Sequence, residues 1–477
     1  MNILRSTSKL TLVRFANVFL GFLAVTFFAR QLGADRLGQF FTFQAVLSVL
    51  ALVGDLGING AVEKRLSEGA ASDKIVSAAV VLKFVPLLIG AGVVLLLQEF
   101  LTQYVNQSLI APLIVGTFLS TYTNMFIEVL NGELRVEETA AVRLSKQVVW
   151  VGFGVTLVMT GFGVTGVVYA LLTAQATQLF FGVARSSVSV AKPTAKQFRS
   201  IGSFARHNYL TTIGHGINEW LDVLLIRIFA GEAAVAAYEV AWRVSSVLML
   251  PTRAFATSII PRVSSWYGRQ EETNLNDFVC ASVVVALLPI VPGVFGLILL
   301  SEEILVLTFG TSFGLASRAL VVLAGGRVAE AVVSVYMRVM SATEYINLAA
   351  RISVVVVISN IVANLIFVPW LGIVGASIGT SLGFVIGMFL CFQTLSAYIE
   401  VNFPITELVI IGASSLVMFG GLILLENVIE VESLPPVLAL VVIGILIYGI
   451  SVSFSSSLRK RLDDAYRLFA DKGTEAR

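Results

Sequence analysis

Seven basic side chains fall inside stretches that are otherwise apolar: Lys83, Arg227, Arg243, Arg253, Arg318, Arg327 and Arg338. A charge in bilayer hydrocarbon costs roughly 2.5–3.5 kcal/mol on insertion scales, so each must face a watery cavity, a partner or the interface. Guanidinium is well suited to gripping phosphate oxygens, because it offers paired donors in a rigid fork. Arg327 and Arg338 are 11 residues apart, which on a helix brings them to within about 20° of one face. Arg253 follows Pro251, whose missing N–H permits a kink in mid-membrane. Six of these cations, Arg253, Arg327, Arg243, Arg338, Arg318 and Lys83, are expected to line a cationic cavity for an anionic ligand. Competing roles stand beside that one. Arg243 follows Glu239 by four residues, the spacing of a local ion pair. Arg318 and Arg338 lie near helix ends, where long side chains snorkel to the interface.

The acids in apolar surroundings are Asp55, Glu128, Glu219, Asp222 and Glu330. Thr211, His215, Asn218, Glu219 and Asp222 recur at helical spacings and make one polar stripe, which must face protein or water. Asp222, Glu219, Glu330 and Asp55 are candidates either for exchanging a coupling ion or for compensating the cations. Glu330 follows Arg327 by three residues, so these two are expected to compensate each other. Asp55 lies close before Lys64 and Arg65, and a local cap or salt bridge to one of them competes with an ion-exchange role. Other signals lead away from enzymes and cofactors. Gly161-x-Gly163-x-x-Gly166 fits a dinucleotide fingerprint but has no preceding strand. There is no Walker A sequence, and the two histidines have no cysteine near them, so neither a cofactor nor a metal is expected. Asn106-Gln107-Ser108 is a glycosylation sequon on an expected external loop.

The elements that must hold these charges are membrane helices. The chain has 477 residues, of which 57% are apolar and 13% charged, with a mean hydropathy of +0.90; soluble domains carry about 25% charged residues. Apolar runs of about 20 residues suit helices crossing a core about 30 Å thick. The fold expected is an all-α polytopic membrane protein with 14 helices. They run over 10–29, 38–61, 75–97, 109–131, 147–160, 162–184, 207–229, 236–260, 278–300, 314–340, 352–369, 372–397, 405–425 and 435–456. The domains follow: a six-helix lobe over 1–184, a basic hinge over 185–206, a second six-helix lobe over 207–398, two further helices within 399–457 and a basic tail over 458–477. With the N-terminus inside, nearly every Lys and Arg of the connecting segments falls on the cytoplasmic side, as the positive-inside rule requires. The external turns 301–313 and 426–434 carry glutamates and no Lys or Arg.

The halves repeat. Phe28-Ala29 matches Phe229-Ala230 at an offset of 201, Pro86 matches Pro289 at 203, and Phe162-Gly163-Val164-x-Gly166 matches Leu371-Gly372-Ile373-x-Gly375 at 209. An even number of helices per copy makes the repeat parallel and places the expected substrate site between the lobes.

ARQLGADRLGQF at 29–40, then Asp55-Leu56-Gly57 and Lys64-Arg65, resembles the opening helices of the polysaccharide-transporter family. Asn360…Asn364…Pro369-x-x-Gly372-x-x-Gly375-Ala376 resembles that family's eleventh and twelfth helices. These are oligosaccharide flippases of the multidrug/oligosaccharidyl-lipid/polysaccharide exporter superfamily. The resemblance implies two pseudo-symmetric six-helix bundles in a V around a central cavity. It also implies movement of a polyprenyl-linked, diphosphate-bearing oligosaccharide from the cytoplasmic to the outer leaflet, for surface polysaccharide or glycoprotein glycan assembly. Expected partners are the lipid-linked oligosaccharide, membrane lipids and glycan-assembly enzymes, with no nucleic acid and a monomeric state. The expected location is the cell membrane, with both termini cytoplasmic. An ion-coupled multidrug exporter of the same fold is the alternative, and the arginines argue against it. A membrane glycosyltransferase or polymerase would need a larger outer loop, and a channel would need a filter motif.

Overall fold

A computed structural model describes the backbone of residues 3–70, 72–256, 259–269, 272–398, 402–429 and 431–461. Side chains of 1–12, 14, 207–208, 210–219, 254 and 272–274 lie outside the description as well. All regular structure among the described residues is helical. In chain order the helices are α1 Ile3–Asp55, α2 Ile58–Ser67, α3 Ser72–Leu96, α4 Gln98–Leu101, α5 Ile110–Gly132, α6 Val136–Met159, α7 Gly163–Arg185 and α8 Ala195–Ala230. They continue as α9 Glu232–Val247, α10 Leu250–Ala256, α11 Ile259–Arg269, α12 Glu272–Phe309, α13 Ser317–Ala342, α14 Ile346–Tyr398, α15 Ile405–Glu426 and α16 Leu434–Ser453. Ten spans among the described residues are long and apolar enough to cross a membrane. Two run through a glycine break, at Gly33 in α1 and at Gly372 in α14, so each contains two of the helices expected from the sequence.

Two compact units divide the chain, Met1–Ala236 and Ala237–Arg477. In the first, α2, α3 and α5 pack around Ala61, Val62, Ala78, Ala79 and Met125, and α8 adds Ile201 and Ala205. The basic segment before α8 belongs here too. Its backbone N–H groups at Ser187, Ser189 and Ala191 donate to Glu133, Asp73 and the Ser77 hydroxyl. Thr194 and Gln197 then form a capping box that starts α8. In the second unit, α12, α13 and α14 build a core around Phe278, Val283, Tyr336 and Val339. There α15 and α16 lie on α12 through Leu300, Met418, Leu422 and Leu440. Pro292 lacks the N–H that would bond the Leu288 carbonyl, and the Tyr448 hydroxyl of α16 donates to that carbonyl at 2.8 Å.

The sequence repeat has a backbone counterpart. Gly163 and Gly372, paired by the offset of 209, have φ of 56° and 55°, a region costly for any residue with a Cβ. Their partners Gly166 and Gly375 let two helices close up. A Cβ on Gly166 would meet Leu157 Cβ at 2.9 Å, and one on Gly375 would meet the Phe367 carbonyl at 2.2 Å.

Candidate functional site

Two of the cations singled out from the sequence converge in the second unit. Arg327 is 1% exposed and Arg253 is 56% exposed, and one carboxylate, Glu330, serves both. Its Oε2 accepts from Arg327 Nη1, and its Oε1 lies 3.6 Å from Arg253 Nη2. The local pairing follows from the i, i+3 spacing on α13. The remaining Arg327 donors are taken by α9. Its Nη2 donates to Ser246 Oγ at 2.9 Å and to Ser245 Oγ at 3.1 Å, and its Nε to Ser245 Oγ at 3.3 Å. The guanidinium also stacks over Trp242 at 4.0 Å from the ring centre. Small residues permit this approach. A Cβ on Gly326 would meet Ser381 Oγ at 2.3 Å, so α14 lies hard against α13 beside the arginine. Arg327 is therefore a fixed, saturated charge, and Arg253 is the one with donors to spare. Trp242, Ser245 and Ser246 were missed in the sequence. Their signal was there, since i, i+3 and i+4 share a helix face.

The other arginines separate by environment. Arg243 pairs with Glu239 at 3.2 Å, the local pair allowed by its spacing. Arg318 is exposed in the first turn of α13. Arg338 is partly buried and makes no ion pair among the described residues. Arg227 pairs with Glu232 at 3.0 Å.

Lys83 lies in the first unit at 0% exposure, where Nζ is 2.6 Å from Asp55 Oδ1 and 2.7 Å from Asn59 Oδ1. Asp55 Oδ1 also accepts the Asn59 N–H at 3.1 Å, so it satisfies one of the free donors in the first turn of α2. Its ionic partner is Lys83, not Lys64 or Arg65, which both pair with Glu68. The reason is geometric. Leu56 and Gly57 turn the chain at φ of 50° and 75°, which sends α2 off with its basic end away from Asp55. Asp222 is buried. Glu219, His215 and Asn218 of the polar stripe lie outside the described side chains. Within the second unit, Asn360 Nδ2 donates to Thr380 Oγ1 at 3.2 Å, and Asn364 Nδ2 to the Asn360 carbonyl at 3.0 Å. No cluster of three or more metal-ligating side chains occurs among the described residues.

The family described as "Polysaccharide biosynthesis protein" matches residues 27–318. The chain is also 34% identical over 448 residues to a Haloferax volcanii protein named "Probable low-salt glycan biosynthesis flippase Agl15", covering 94% of this chain and 95% of that one. This chain belongs to the polysaccharide biosynthesis protein family. A second relative from that organism, "Probable flippase AglR", is 28% identical over 455 residues, covering 93% of this chain and 94% of its own. Among solved structures, an inward closed lipid II flippase MurJ is similar at a TM-score of 0.79 and 18% identity, over 95% of this chain and 99% of that one. At such identity the likeness establishes the fold. A multi-pass, all-helical transporter fold is thus common to this family member and a flippase of known structure.

Proposed function

We propose that the protein is a flippase carrying a polyprenyl-linked oligosaccharide from the cytoplasmic to the outer leaflet of the cell membrane by alternating access. It is a transporter and not an enzyme. The single observation that carries the reading is the exposed Arg253 beside the buried Arg327–Glu330 pair. An anionic phosphate headgroup supplies what a half-satisfied guanidinium in an apolar lobe needs, and an organic cation does not. The glycan flippases named above, similar along nearly the whole chain, give that headgroup a source. Asp222, Glu219 and Asp55 are the acids proposed for coupling or charge compensation, and Arg338 and Arg318 extend the basic surface. The six-helix lobes 1–184 and 207–398, the connecting 185–206, the pair within 399–457 and the tail 458–477 are the proposed functional divisions. Both termini face the cytoplasm in this scheme. The protein works as a monomer among membrane lipids, and glycan-assembly enzymes supply and consume its substrate.

The test is the sidedness of lipid-linked oligosaccharide in cells depleted of the protein. Accumulation on the cytoplasmic leaflet with loss of surface glycan is expected. Normal sidedness together with new sensitivity to cationic dyes would transfer the protein to the drug exporters.

A further inference from the structure

We propose that Glu330 is a built-in competitor for the ligand: its carboxylate occupies Arg253 in the empty protein and gives it up to an anionic phosphate headgroup. The inference rests on the phosphate-ligand reading above and concerns how that site is regulated. The two carboxylate oxygens have different tasks. Oε2 is held by Arg327, which Trp242, Ser245 and Ser246 fix in place. Oε1 is only 3.6 Å from Arg253, beyond the 2.7–2.9 Å of a well-made charged hydrogen bond. Arg253 is more than half exposed, Glu330 is 16% exposed and Arg327 is enclosed. The contact that can be broken is therefore the outer one. When it breaks, Glu330 stays neutralised by Arg327, so no buried charge is orphaned.

A carrier needs this arrangement. With no carboxylate beside it, the open Arg253, backed by the charge of Arg327, would hold a diphosphate more tightly, and a carrier gains nothing from a ligand it cannot release. A tethered carboxylate returns to Arg253 as the headgroup leaves, which lowers affinity and speeds release. The cluster carries a net charge of +1 with Glu330 ionised, and replacing the acid by an amide raises it to +2.

The experiment measures binding of a polyprenyl diphosphate to the purified full-length protein in detergent, together with counterflow of the same lipid in vesicles. Glu330→Gln is expected to bind about tenfold more tightly, the equivalent of one weak charged contact, and to turn over more slowly. Arg253→Ala is expected to bind weakly, and adding Glu330→Gln to it should change nothing further. Glu330→Asp keeps the charge beside Arg327 while drawing it back from Arg253, so it should show a smaller gain of the same sign. It serves where the amide variant melts early. If the parent binds, Arg253→Ala does not, and both Glu330 variants match the parent, the competitor role is overturned while the ligand reading stands. Absence of binding by the parent overturns both.

Discussion

The two buried arginine and lysine sites differ in what a mutation exposes. Lys83 and Asp55 neutralise each other inside the first unit, so removing either partner leaves an uncompensated buried charge. Such changes cost about 3–5 kcal/mol, whereas replacing both by apolar residues of similar volume is close to neutral. Lys83→Met is expected to lower the melting temperature in detergent sharply, and Lys83→Met with Asp55→Leu to recover most of it. Equal melting of the single and double variants would show that no stranded Asp55 charge lies behind the loss. Arg253 and Arg327 should separate in the same assay. Arg253→Ala is expected to lose transport with an unchanged melting temperature, because its side chain is mostly in the open. Arg327→Ala is expected to lose both, because it empties a packed space against Trp242 and leaves Glu330 with only its long contact to Arg253. From sequence alone the two looked alike, as arginines deep in the apolar stretches 236–260 and 314–340. Depth in the chain says nothing about which donors a neighbouring helix has already taken.

At the level of elements, glycines and prolines set the joints. Gly372 at φ 55° and ψ −128° occupies a conformation that costs a residue with a Cβ about 1–3 kcal/mol. Gly372→Ala should therefore destabilise, while Gly412→Ala, in open space within α15, should leave melting unchanged or raise it. Loss of the Tyr448 hydroxyl leaves the Leu288 carbonyl freed by Pro292 without its donor. Tyr448→Phe is expected to cost about 1 kcal/mol, read as a loosening of α16 by limited proteolysis. The apolar runs and the paired Phe/Leu-Gly-x-x-Gly signatures were legible in the sequence, because they follow from helix length and from sites where a Cβ does not fit. The breaks inside α1 and α14 were legible too, since the boundaries read at 29–38 and 369–372 bracket Gly33 and Gly372. What was not legible is that a single glycine at φ 77° or 55° turns the chain with no loop residues, even where Arg30, Gln31, Asp35 and Arg36 read as a polar separator.

For the whole molecule, sidedness is open to direct test. Cys280 and Cys391 are buried and unpaired, which makes the natural chain a quiet background for thiol labelling. Glu302 and Lys192 are both exposed. An impermeant maleimide is expected to label Glu302→Cys in intact cells and Lys192→Cys only after permeabilisation. The reverse pattern would invert the proposed topology. The repeat and the family were readable at this scale, since both reside in short local motifs. The Lys83–Asp55–Asn59 cluster was not, because it joins three helices through the turn at Leu56-Gly57. That cluster also bears on how the protein is made. Asp55 leaves the ribosome 28 residues ahead of Lys83, and the Thr121 carbonyl that approaches Lys83 at 3.5 Å arrives 38 residues later still. Neither charge is welcome in lipid alone. The insertion machinery must therefore hold the first helices together until their charges have met, and release them as a group.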